Sequence, residues 1–245
     1  MKLIDILKRM FVERDCVICG DPISYESEEP ICEDCEEDWC KLLTTRCNIC
    51  GKERELCHCL PKQIKEISNG HAIWCVFYDN EINPKANKIF FDLKKYGYRI
   101  LVNLIADIIV RALISSCCAL DVKYKRYAIT YVPRRRVVKH QRMFDQSEKL
   151  AKAIGKRLGI PVFSCLENKS WKEQKKLNKH ERIENARKAY RMKKNAKLEY
   201  EYIFLVDDII TSGSSMRACA DLLYENGAIN VIPVAFAKDN IKKGE

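Results

Sequence analysis

Apolar positions along this chain follow two rhythms that take turns. Short β-favouring runs recur at 72–78 (Ala-Ile-Trp-Cys-Val-Phe-Tyr), 127–132 (Tyr-Ala-Ile-Thr-Tyr-Val), 160–163, 203–206 and 231–236. Between them the apolar residues fall three and four apart, the spacing of one helical face. The clearest such stretch is 100–120, with Leu101, Leu104, Ile105, Ile108, Ile109, Ala112 and Leu113 on one side. The spacing also predicts helices after Asn83-Pro84, from about Gln146 to Leu158, and from Met216 through Cys219, Leu222 and Leu223. Strands separated by helices imply an α/β fold with a mainly parallel sheet flanked by helices. Asn103, Asp107 and Arg111 interrupt the 100–120 stretch, which falls short of the roughly 20 apolar residues of a membrane span. With no signal peptide pattern either, a cytoplasmic protein without membrane insertion is expected.

Residues 1–60 show neither rhythm. They hold nine of the chain's 14 cysteines, arranged as Cys16-x-x-Cys19, Cys32-x-x-Cys35, Cys47-x-x-Cys50 and Cys57-x-Cys59, with Cys40 left over. A close pair can place two thiolates on one metal, and two pairs complete a tetrahedral zinc site. Sequential pairing gives one site from Cys16, Cys19, Cys32 and Cys35, and a second from Cys47, Cys50, Cys57 and Cys59. It is favoured because it makes two compact ribbons, although spacing alone leaves a cross-braced arrangement open. About sixty residues hold little core of their own, so the zinc would be structural. The expected organisation is a zinc-binding module at 1–60, a junction at 61–70 and an α/β domain at 71–245.

Charge divides the chain in the same way. The formal net charge is +10, yet residues 1–60 carry a net −6 and residues 134–194 a net +14. That concentration favours an anionic partner, either a phosphate ligand or nucleic acid. Arg134, Arg135, Lys139 and Arg142 follow the 127–132 strand, and the charged stretch 169–191 reads as a loop or partly helical flap.

The densest chemistry follows the run Ile203 to Val206. Asp207 and Asp208 are followed by Ile209-Ile210, then Thr211-Ser212-Gly213-Ser214-Ser215 and the third helical pattern. A strand feeding a loop that feeds a helix N-terminus offers free backbone N–H groups and a favourable dipole to an anion. Gly213 lets the backbone come close, and the four hydroxyls can donate to phosphate oxygens. Two carboxylates at the strand's carboxyl end suit the hydroxyls of a sugar, so the segment reads as a sugar-phosphate site.

This order of residues resembles the signature of type I phosphoribosyltransferases, which bind 5-phosphoribosyl 1-diphosphate (PRPP) with Mg²⁺. A closer likeness covers nearly the whole chain. The cysteine ribbons are joined by Lys95, Tyr96 and Arg99, then by Val132-Pro133 and Arg142-Met143-Phe144-Asp145-Gln146. Gln174, Leu177, Arg182, Asn185 and Tyr190 follow, ahead of the Asp-Asp signature. Together these resemble the competence-protein ComF family, with Met143 and Asp145 standing where that family usually has Gly and Asn. The resemblance implies a type I phosphoribosyltransferase-like sheet behind a double zinc ribbon, in a protein of DNA uptake during natural transformation. Asp207 and Asp208 would take ribose hydroxyls and stabilise positive charge on the sugar, Thr211 to Ser215 the 5-phosphate, and Arg142 the diphosphate. Single-stranded DNA is an implied partner, through Lys95, Arg99, Arg134, Arg135 and Lys139 and stacking on Tyr96, Tyr98, Phe144 or Trp171, as is a helicase or translocation protein. Whether the protein turns over is left open. The alternative is an active Mg²⁺-dependent enzyme acting on a nucleobase or amine acceptor, with no DNA role.

Overall fold

Strand β1 (Arg14–Asp15) pairs antiparallel with β2 (Pro22–Ile23) and opens the computed structural model. The structure describes residues 14–23, 31–78, 99–116, 126–134, 145–169, 188–194 and 196–240, with only the backbone of Asn69. Helices α1 (Glu33–Leu43) and α2 (Lys62–Lys65) precede β3 (Val76–Tyr78), and α3 (Arg99–Ser116) precedes β4 (Tyr127–Tyr131). Then come α4 (Gln146–Leu158), β5 (Leu166–Asn168), β6 (Tyr190–Met192), β7 (Tyr202–Ile210), α5 (Ser214–Glu225) and β8 (Asn230–Asp239). The predicted helix after Asn83-Pro84 lies outside the described residues.

Four strands in the order β3-β8-β7-β4 form one sheet, every pair parallel. Alternation along the central strand sets the two faces. Ile203 and Leu205 of β7 pack with Cys219 and Leu223 of α5. Phe204 and Val206 pack with Ile105 and Ile109 of α3 and Leu150 and Ile154 of α4. The expected parallel sheet flanked by helices is what forms. Helix α4 has the limits its spacing predicts. Asp145 caps its first turn by accepting the Glu148 N–H at 3.4 Å, and left-handed Gly159 (φ 66) ends it.

Two expectations are corrected. The strand expected to end at Val206 runs on to Ile210, because β8 keeps pairing with it: Ile209 is opposite Ala237 and Ile210 opposite Lys238. Backbone pairing is indifferent to the charge of the side chains it carries, so Asp207 and Asp208 lie within the strand rather than beyond it. The strand expected at 160–163 is reduced to a single parallel bridge, Ile129 to Val162. The stretch expected to be a loop or flap is flanked by the antiparallel pair β5–β6, with Asn168 opposite Tyr190. Residues 170–187 lie outside the described set.

Neither the junction nor the cysteine module stands apart from the sheet. Ile64 and Ile67 are fully buried beneath α5. Ile18, Ile23 and Leu42 share a core with α3 and α4, and the Trp39 ring stacks on Phe236 of β8 at 5.7 Å. No helix among the described residues is long and apolar enough to cross a membrane.

Candidate functional site

The carboxyl ends of β4 and β7 bring the acidic pair together with groups from three other elements. Asp208 is 5 % exposed, and one of its oxygens accepts the Arg134 guanidinium at 3.0 Å. Asp145 holds Arg134 in place, since its Oδ2 accepts the Arg134 backbone N–H at 2.8 Å while its Oδ1 caps α4. One oxygen of Asp207 accepts both the Ser147 hydroxyl and the Asp208 backbone N–H, each at 2.9 Å. Burial and the neighbouring Asp208 charge push the Asp207 carboxyl up to about 8, against the stabilising effect of those two donors and of Arg134. The Arg134 and Ser147 contacts engage one oxygen of each carboxyl, and a divalent cation or sugar hydroxyls could meet the pair once Asp207 is ionised.

Beyond β7, Ser214 opens α5 behind left-handed Gly213. The Ser212 and Ser214 hydroxyls lie 3.0 Å apart, and the Ser214 N–H leans toward the Ser212 oxygen at 3.4 Å. Thr211 is exposed and Ser215 half-buried. Tyr190 is buried on β6, and that burial raises its phenol above the ordinary value against the opposing effect of Ser215 and Asn168. Opposite Tyr190, Asn168 donates to the Pro133 carbonyl at 3.4 Å, which ties β5 to the loop after β4. Backbone N–H groups and hydroxyls at the start of α5 and the carboxylates of β7 are the donors and acceptors that a phosphorylated polyol would need.

Gly213 has a structural reason of its own. Its φ is +76, and a Cβ there would meet Ile64 Cγ1 at 2.6 Å. The close approach is therefore to the junction packed beneath the loop. Gly213→Ala is expected to cost about 1–3 kcal/mol through backbone strain alone. Urea unfolding of the two proteins measures it, and an unchanged midpoint would contradict the strained geometry.

Of the other predicted site residues, Arg99 begins α3 and is exposed. Arg142, Lys95, Arg135 and Lys139 lie outside the described residues, as do Tyr96, Tyr98, Phe144 and Trp171. Sequence reasoning passed over Ser147 and Asn168. Ser147 had a signal, a small hydroxyl in the first turn of a helix entered from a basic loop.

The eight cysteines gather as two clusters, Cys16, Cys19, Cys32 and Cys35, and Cys47, Cys50, Cys57 and Cys59, each with its sulfurs within 4.8 Å of one another. That is the sequential pairing. Four sulfurs about 2.3 Å from one Zn²⁺ sit roughly 3.8 Å apart, so modest contraction suffices. Backbone N–H groups already face several sulfurs: Ile18 to Cys16, Asp21 to Cys19 and Cys59 to Cys57, all at 3.4 Å. These donors suit thiolates, and the residues fit structural zinc. Cys40 is free and stands outside both clusters.

No protein-family model matches the chain, and no curated protein does either. Solved structures do. An adenine phosphoribosyltransferase from Thermoanaerobacter pseudethanolicus is 13% identical over 62% of this chain and 84% of its own, with a TM-score of 0.36. A hypoxanthine phosphoribosyltransferase from Staphylococcus aureus is 10% identical over 58% and 75%, with a TM-score of 0.37. A phosphoribosylpyrophosphate synthetase from Mycobacterium smegmatis is 17% identical over 62% and 51%, with a TM-score of 0.29. Likeness at this level carries no weight for activity, which has to be read from the strands and side chains themselves.

Proposed function

We propose that the cleft at the carboxyl ends of β4 and β7 binds PRPP with Mg²⁺, and that the protein serves DNA uptake in the manner of the ComF family. The observation that carries the PRPP reading is the Asp207–Asp208 pair on the central strand, set against a hydroxyl loop that opens a helix. The carboxylates receive the ribose hydroxyls. The 5-phosphate lies over Thr211 to Ser215, with the N–H groups of the first turn of α5 as donors. Arg134 pairs with Asp208 without ligand and can turn its guanidinium to the diphosphate, with Arg142 as a second cation. Asp207 and Asp208 would hold Mg²⁺ jointly with ligand oxygens, and the ion supplies charge neutralisation of the diphosphate. If diphosphate departs, positive charge develops on the sugar beside two fixed carboxylates, a preorganised field that favours it.

Calorimetric titration with PRPP and Mg²⁺ tests the site. Saturable binding is expected, and absence of binding by folded protein would remove the reading. Diphosphate release over a panel of nucleobase and amine acceptors then decides between a bound regulator and an enzyme. The DNA role has its support in the basic stretch 134–194 and in the resemblance. It predicts oligonucleotide binding whose affinity falls as salt rises.

The raised Asp207 carboxyl gives the site a pH dependence. Below about 8 the free protein holds a proton there, and a ligand that needs the carboxylate must displace it. Affinity for PRPP and Mg²⁺ is therefore expected to rise by about tenfold between pH 7 and 9, about fivefold of it by pH 8, and to level off above. Titrations at pH 7, 8 and 9 in two buffers of different ionisation enthalpy read both the trend and the proton released. A flat profile would show that Asp207 binds no ligand oxygen.

A further inference from the structure

Lys238, close to the carboxyl end of β8, is only 1 % exposed. Its Nζ donates to the Cys59 carbonyl at 2.9 Å and sits 4.9 Å from the Phe77 ring centroid and 5.8 Å from that of Trp74. Among the described residues no carboxylate pairs with it. A carbonyl and two ring faces solvate an ammonium only in part, and a cation this deep needs an opposite charge.

The groups able to supply that charge are the thiols of the second cluster. Cys47 and Cys57 share a buried cluster with Trp74 and Phe77, the two rings that face the Lys238 ammonium, and Cys59 supplies the carbonyl it donates to. Four thiolates on one divalent ion leave a double negative charge, which itself needs a buried cation. A second donor waits in the same cluster: the indole N–H of Trp74 is buried without an acceptor among the described residues. Two residues beyond Lys238, the Asn240 side chain accepts the Asn48 N–H at 2.8 Å and donates to the Arg46 carbonyl at 3.1 Å. The end of β8 is thus fastened to the turn that carries Cys47. Among the described residues Lys238 is the only buried lysine.

We propose that Lys238 is the counter-ion of a zinc centre formed by Cys47, Cys50, Cys57 and Cys59, and hence a positioning residue for that metal alone. Zinc in the second cluster then holds the end of β8, and the end of β8 holds the zinc. This inference is independent of the PRPP reading, because the reporter is metal rather than ligand.

The test uses full-length, zinc-loaded protein and the rate of zinc release to a chromogenic chelator. Cys50→Ser, which lacks the second site, identifies the phase belonging to the first cluster. Lys238→Met is expected to speed one of the two wild-type phases by about tenfold or more and leave the first-cluster phase unchanged. Lys238→Arg, which keeps the charge, is expected to release zinc within a few-fold of wild type. Should Lys238→Met fail to fold, Lys238→Gln gives the same reading with a neutral donor of similar length. Wild-type release from the neutral variants overturns the proposal. So does equal acceleration of both phases, which would report general loosening, or an arginine variant as leaky as the neutral ones.

Discussion

Asp207→Asn combined with Asp208→Asn is expected to weaken PRPP binding by at least about a hundredfold. Hydrogen bonds to charged groups are worth about 1.5–3 kcal/mol each, so losing two removes about 3–6 kcal/mol of affinity. Asparagine keeps the shape of each side chain, and Ser147 and the Asp208 N–H retain an acceptor. Stability should move the other way. The Asp207 carboxyl is raised in the folded protein, so its contribution is complete below about pH 4 and is lost as pH rises through about 8. At pH 8 the ligand-free Asp207→Asn protein should consequently melt no lower than wild type. Calorimetric titration and thermal unfolding on the same samples separate the two effects. Wild-type affinity in the doubly substituted protein would leave the carboxylates without a ligand role.

Loss of zinc should be the most damaging change of all. Metal binding contributes on the order of 10–16 kcal/mol to the folding of small cysteine modules, more than the whole stability of many domains. In this protein the damage would spread. Cys16 and Cys35 are buried in the same core as Ile105, Val206 and Phe236, and Trp39 lies flat on Phe236. Releasing the first cluster uncovers that face of the sheet. A strong chelator, or Cys16→Ser with Cys35→Ser, is expected to lower the melting temperature by tens of degrees and to shift the Trp39 emission to the red. Metal analysis should find two zinc ions per chain in the untreated protein, one for each cluster. Melting that ignored the chelator, in protein shown to be metal-free, would mean that the sulfurs hold the module without an ion.

Much of the architecture is legible from residue pattern because it depends on local rules. The helix Gln146–Leu158 follows from apolar spacing, an acidic cap and a closing glycine, all within one stretch of chain. The cysteine pairs are legible because two thiolates two or three residues apart can converge on one metal without help from elsewhere. What escaped notice depends on contacts across the sheet. Charge at Asp207 looks like the end of a strand until β8 is alongside to continue the pairing. Nothing in the pattern singles out Lys238, whose burial arises only when Trp74, Phe77 and the Cys57-x-Cys59 turn close over it. Arg134 reads as a loop cation, and its partnership with Asp208 arises only when β4 and β7 become neighbours. The acidic pair and the loop after it were visible; the residues that aim them were not.

The segment between the last cysteine and the first strand of the sheet carries a mechanical consequence. Ile64 sits directly beneath Gly213, Glu66 pairs with Arg217 at 2.8 Å, and the Ser68 N–H reaches the Tyr224 hydroxyl at 3.4 Å. A tether would let the module swing; this segment is a wedge driven under the hydroxyl loop. A shift of the cysteine module would press that wedge against Gly213, so the hydroxyl loop and the metal centres share one mechanical footing.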